Sequence, residues 1–87
     1  MGNLKEKVAT VLKESFEGAE PELEINESAD KLGGFLIWED FEGEPQIDRQ
    51  KQVWTVLRSR LDREEQRKIS AILTVSPAEM AVMRDDA

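Results

Sequence analysis

A chain of 87 residues with 39% hydrophobic content has room for one small core and no second. Its net charge of −7 opposes sequence-independent binding to nucleic acid or anionic membrane, which runs on phosphate neutralisation. With no cysteine and no histidine it lacks disulfides, thiolate chemistry, the usual general base near neutral pH and the commonest transition-metal ligand.

In chain order, Leu4, Val8, Val11, Leu12 and Phe16 recur at helical steps, with Asn3 placed to cap the start and Gly18 to stop the end, which predicts a helix over 4–17. After Pro21, Leu23 and Ile25 alternate with Glu22, Glu24 and Asn26, the period of a half-buried strand over 22–27 with an acidic outer face. Lys31-Leu32-Gly33-Gly34 reads as a turn, and FLIWED as a second, antiparallel strand over 35–40. Gly43 and Pro45 end that strand in a turn or a single helical turn.

Ile47, Gln50, Trp54, Leu57 and Leu61 then share one helical face, widened by Val53 and Val56, for a helix over 47–61. Arg49, Lys51, Arg58 and Arg60 read as its charged face, and Arg63, Arg67 and Lys68 continue the positive run. Residues 49–68 hold seven Lys/Arg against three Asp/Glu, the one basic segment of an acidic chain. Ile69, Ala71 and Leu73 alternate with Ser70, Ile72 and Thr74 in a strand over 68–75, apolar enough on both faces to be expected in the middle of the sheet. Ser76-Pro77-Ala78-Glu79 has capping-box spacing with proline at the first helical position, which predicts a helix over 77–84 carrying Met80 and Met83 inward.

The resulting order is α-β-β-(short α)-α-β-α. It predicts a single α+β domain over 1–87: a two-layer sandwich with a three-stranded mixed sheet and helices on one face, the last strand crossing over to lie beside the first. No apolar run approaches the ~20 residues that span a bilayer, and the first residues mix Lys and Glu into apolar positions, so a cytoplasmic protein without membrane contact is expected.

Catalysis finds little purchase in this chain. Neighbouring carboxylates such as Glu39 and Asp40, or Glu22 and Glu24, read as solvated, and no serine has a histidine to activate it. No D-x-D-x-D-G loop is present for calcium. Trp38 and Trp54 read as core anchors. The basic run offers either a phosphate-contacting ridge or a docking face for an acidic protein.

The chain resembles the BolA family. The resemblance lies in an aromatic strand end before Phe41-x-Gly43, in Arg49 opening a helix with Val53 and Leu57 behind it, in Ile69-x-Ala71-Ile72-Leu73, and in Ser76-Pro77-Ala78-Glu79. It covers roughly residues 35–80 and implies a fold similar to the type II KH domain. It also implies a non-enzymatic regulatory or interaction module of iron–sulfur homeostasis or stress response, which pairs with a monothiol glutaredoxin around a shared two-iron two-sulfur cluster. The alternative it implies is a transcription regulator that contacts DNA through the long helix.

The chain departs from the family where cluster ligands sit. Ser70 stands at the family's histidine in the last strand, Arg49-Gln50 replaces an Arg-His pair, and the first interstrand loop is short. A KH-type grip on nucleotides would fall at Phe41 to Ile47, which has two glutamates and no lysine. The residues expected to meet a partner or nucleic acid are therefore Arg49, Lys51, Arg58, Arg67, Lys68 and Ser70, with no catalytic residue, no metal and no cofactor held by the chain alone.

Overall fold

A computed structural model describes residues 3–26 and 28–85. Its elements are α1 (Leu4–Ser15), β1 (Glu20–Asn26), β2 (Lys31–Ile37), a 3-10 turn (Glu39–Phe41), α2 (Gln46–Arg60), α3 (Arg63–Arg67), β3 (Ile69–Val75) and α4 (Pro77–Asp85). Glu27, expected to end the first strand, lies outside the described residues.

Helix α1 starts where the Asn3 side chain accepts the Glu6 amide at 2.9 Å. It ends before Gly18, whose φ of 88° suits a residue without Cβ. Helices α1 and α2 cover one face of the sheet, where Val8, Leu12, Val53 and Leu57 are fully buried against Leu32, Leu36 and Ile72. A ring cluster closes the end of this core, with Trp38 edge-on to Phe16 at 5.1 Å and to Phe41 at 5.2 Å. The Trp38 indole N–H donates to the Glu17 carbonyl at 2.9 Å, so this tryptophan is the anchored core residue that was expected. The opposite face is covered at one end only, where Met80 of α4 packs on Ile37 and Val75.

The sheet is mixed, with β1 antiparallel and β3 parallel to β2. Its order is β1-β2-β3, so the last strand lies beside the second strand at an edge, and the central place expected for it belongs to β2. The reason lies in the glycine pair. Gly33 and Gly34 are strand residues, not the turn they resemble, and β2 begins at Lys31 and ends at Ile37. At Gly34 a Cβ would stand 2.8 Å from Leu23 Cα, and at Gly33 it would stand 3.0 Å from Ala71 O. Both neighbouring strands therefore approach β2 where it has no side chains.

Two further expectations change. The buried stripe of α2 runs through Arg49, Val53 and Leu57, while Ile47 is 64% exposed. In α4, Met80 is buried but Met83 is 48% exposed. The connector before β3 is itself a helix, α3, held by a capping box in which Asp62 Oδ1 accepts the Glu65 amide and Glu65 Oε1 accepts the Asp62 amide.

The glycine pair gives a direct test. Gly34 has φ 146°, and a methyl there meets the β1 backbone, so Gly34→Ala is expected to destabilise the fold by about 2–4 kcal/mol. Gly33→Ala displaces the Ser70 hydroxyl 2.8 Å away, a flexible side-chain atom, and is expected to cost about half as much. Urea unfolding of both variants measures the difference; equal values would show that backbone approach on the β1 side is not the constraint.

Candidate functional site

Arg49 is the first of the expected contact residues to be relocated. It lies one turn before Val53 and two before Leu57, hence on their buried stripe, and only 3% of it reaches solvent. Its guanidinium donates to Thr74 O at 3.1 Å, to Glu44 O at 2.9 Å, and to both Glu79 carboxylate oxygens at 2.7 and 3.1 Å. It also stands 5.7 Å from the centre of the Phe41 ring. Glu79 in turn accepts the Ser76 amide at 2.8 Å, which completes the capping box that starts α4.

One buried cation thus ties α2, β3 and α4 together. The paired guanidinium, with help from the Ser76 amide, holds the Glu79 carboxyl well below its ordinary 4.5, at about 2. The same pairing raises Arg49.

Gln46 and Gln50 extend this polar layer. Val75 O faces β2, where it accepts the Trp38 amide, so the alternating carbonyls of Ile72 and Thr74 point off the free edge of β3. Gln50 Nε2 donates to Ile72 O at 2.8 Å and Gln46 Nε2 to Thr74 O at 3.0 Å. The Thr74 hydroxyl, 1% exposed, donates to Gln46 Oε1 at 2.8 Å. Among the described residues no buried side-chain polar atom lacks a partner. The sequence signal for this layer was two glutamines and an arginine in the first turn of an otherwise apolar-faced helix.

The remaining expected contact residues are exposed but divided. Arg58 and Arg67 share a shallow cleft of about 530 Å³ with Trp54, Arg63 and Gln66. Lys68 lies in a different cleft, whose lining includes Lys7, Arg60, Asp62 and Glu65. There the Lys7–Glu65 pair at 2.7 Å and the Arg60–Glu14 pair at 2.9 Å neutralise much of the charge. Lys51 projects from α2 into solvent and lines neither cleft. Trp54 is half-buried against the core but, unlike Trp38, makes no hydrogen bond among the described residues.

Ser70 is exposed at the irregularity where the β2–β3 register shifts, and its hydroxyl donates to Leu32 O at 3.2 Å. The Lys31 ammonium caps the neighbouring Arg67 carbonyl. Residues 28–30 turn before β2, where Asn26 Oδ1 accepts the Ala29 amide and Asp30 takes a φ of 52°. It offers no thiolate or imidazole. An iron–sulfur cluster selects those soft donors, and a hydroxyl already engaged with a carbonyl is a poor substitute. The residues present do not fit a cluster. Among the described residues, no group of three or more Asp or Glu is placed to hold a metal ion, and no helix is long and apolar enough to cross a membrane.

No family model matches the chain, and no curated protein matches it in sequence. Solved structures do. The chain is similar to BolA1 from Arabidopsis thaliana, with a TM-score of 0.70 at 20% identity, over 91% of this chain and 98% of that one. A bol-like protein from Babesia bovis matches with a TM-score of 0.64 at 19% identity, over 97% and 95% of the two chains. A bolA protein homologue from Coxiella burnetii matches with a TM-score of 0.61 at 20% identity, over 93% and 99%. The fold is BolA-like, an α+β arrangement with a three-stranded mixed sheet and four helices; the α+β class and mixed sheet are as expected, while α3 stands where the sequence suggested only a connector.

The Arg49–Glu79 pair sets an acid limit on stability. Glu79 binds its proton less readily in the folded protein than in the unfolded chain. The pairing is therefore fully stabilising above about pH 5 and fades as pH falls from there towards 2. With 40% of the Glu79 side chain open to water, the contribution is about 1–2 kcal/mol. Glu79→Gln is expected to lower stability at pH 7 by about that amount, and the gap from the parent should close between about pH 5 and pH 2 in urea titrations. A gap independent of pH would mean that the carboxylate charge is not what holds Arg49.

Proposed function

We propose that the chain is a BolA-like, non-enzymatic interaction module that docks a monothiol glutaredoxin or a related iron–sulfur or stress-response protein without contributing a cluster ligand. The single observation that carries this reading is a BolA-like fold over nine-tenths of the chain; the sequence resemblance adds that Ser70 stands where that family has a histidine. Docking then rests on surface complementarity. The exposed basic residues Arg58, Arg67, Lys68 and Lys51, and the edge beside Ser70, supply it.

A DNA-binding regulator using residues 49–68 is the second reading, supported by the exposed arginines of α2 and α3. It is the weaker one. Arg49 is used inside the fold, and the turn where a KH domain would grip nucleotides carries Glu42 and Glu44.

Co-expression with a monothiol glutaredoxin tests the proposal. The two chains are expected to co-elute, with an absorbance spectrum that Ser70→Ala leaves unchanged. Failure to co-elute would remove the partner. A cluster spectrum that disappears in Ser70→Ala would show ligation by the hydroxyl and overturn the ligand-free reading. Steep loss of binding to duplex DNA between low and physiological salt would instead favour the regulator.

A further inference from the structure

Three arginines in the cleft between α2 and α3 pair with nothing else among the described residues, and Trp54 stands beside them. Trp54 and Arg58 lie one turn apart on α2, Arg63 and Arg67 one turn apart on α3, and all four line the same concavity. Arg49, Arg60 and Arg84 each hold a carboxylate, whereas Arg58, Arg63 and Arg67 hold none among the described residues. The cleft thus gathers three guanidinium forks and a tryptophan, with no carboxylate in its lining, in a protein of net charge −7. The larger cleft beside α1 has no such surplus, because Lys7 and Arg60 are paired and Glu6, Asp62, Glu64 and Glu65 line it beside Lys68.

We propose that this cleft docks a short acidic segment of a partner protein. Two or three of its carboxylates would pair with Arg58, Arg63 and Arg67, and one apolar side chain would rest on the Trp54 ring. This rests on the protein-partner reading above and assigns its chemistry. Guanidinium forks match carboxylates in a bidentate geometry, and Trp and Arg together are the residues that anchor protein interfaces.

Length separates this occupant from a nucleic acid. Each one-turn pair spans only about 5–6 Å, so the cleft takes a few residues of chain. A phosphate backbone that continued past α3 would meet the exposed Asp62 and Glu64, which line the neighbouring cleft. An acidic segment that ends at the cleft avoids that repulsion, and the remaining long-range repulsion is screened beyond about 8 Å at physiological salt.

The test titrates the intact protein with a labelled heptapeptide of six Asp/Glu residues around a central Phe, and in parallel with a ten-nucleotide oligothymidylate. Peptide binding is expected to change the tryptophan emission, and Trp54→Phe should remove that change because Trp38 is enclosed by Phe16 and Phe41. Arg67→Glu is expected to weaken the peptide at least about tenfold. Lys5→Glu, the same change of charge at an exposed site on α1 that lines neither cleft, should weaken it by less than about twofold at physiological salt. Circular dichroism confirms that each variant is folded. Absence of saturable peptide binding, or equal losses for Arg67→Glu and Lys5→Glu, overturns the proposal. Tighter binding of the oligothymidylate with the same arginine dependence overturns the protein occupant. A cleft-dependent peptide without glutaredoxin co-elution leaves the site standing and removes the named partner. Glutaredoxin binding untouched by Arg67→Glu removes the site and leaves the partner.

Discussion

The structure depends on one buried cation. Arg49 is almost wholly removed from water, and such a burial is tolerable only when each guanidinium nitrogen finds an acceptor. Glu79, Thr74 O and Glu44 O supply them. Because these acceptors belong to α4, β3 and the turn before α2, the desolvated charge sets the position of three elements relative to a fourth. Apolar packing alone would hold α2 on the sheet. It would not choose the rotation of α2 about its axis, and the rotation decides which residues remain outside for a partner.

That rotation explains which parts of the molecule were legible beforehand. Binary patterning placed α1 and the start of α4 because their buried residues are apolar at the right period; it located β1 and β3, although Leu23 alone is buried in β1 and the register shift at the start of β3 breaks the alternation there. In α2 the buried face contains an arginine, so a reading that sorts charge outward turns the helix. It places Ile47 inside and Arg49 outside, the reverse of what is found. The partner of Arg49 lies thirty residues away at Glu79, and no local pattern carries that distance.

The glycine pair was misread for a similar reason. Two adjacent glycines usually signal a turn. In this chain they serve close approach of strands on both sides of β2, a tertiary requirement invisible in the local sequence. Once they are placed inside the strand, β2 must be central, and β3 is displaced to the edge. The basic surface was likewise only half legible. Charge counting found the segment 49–68, but separating the paired from the unpaired arginines needed the positions of Glu14 and Glu79 in space.

The glutamines on the rim of β3 bear on how the protein behaves when crowded. Residues Ile69 to Val75, ISAILTV, form an uncharged, strand-prone heptad, the type of segment that stacks into fibrils when its backbone is free. Its outward carbonyls at Ile72 and Thr74 are occupied by Gln50 and Gln46, so a neighbouring chain finds them already engaged. The opposite rim, β1, discourages stacking in another way, with exposed Glu20, Glu22 and Glu24 and with Pro21, which has no amide hydrogen to offer. The first turn of α2 therefore acts as a lid on a sticky edge. Fraying of that one turn would convert a self-contained molecule into a template for its own kind.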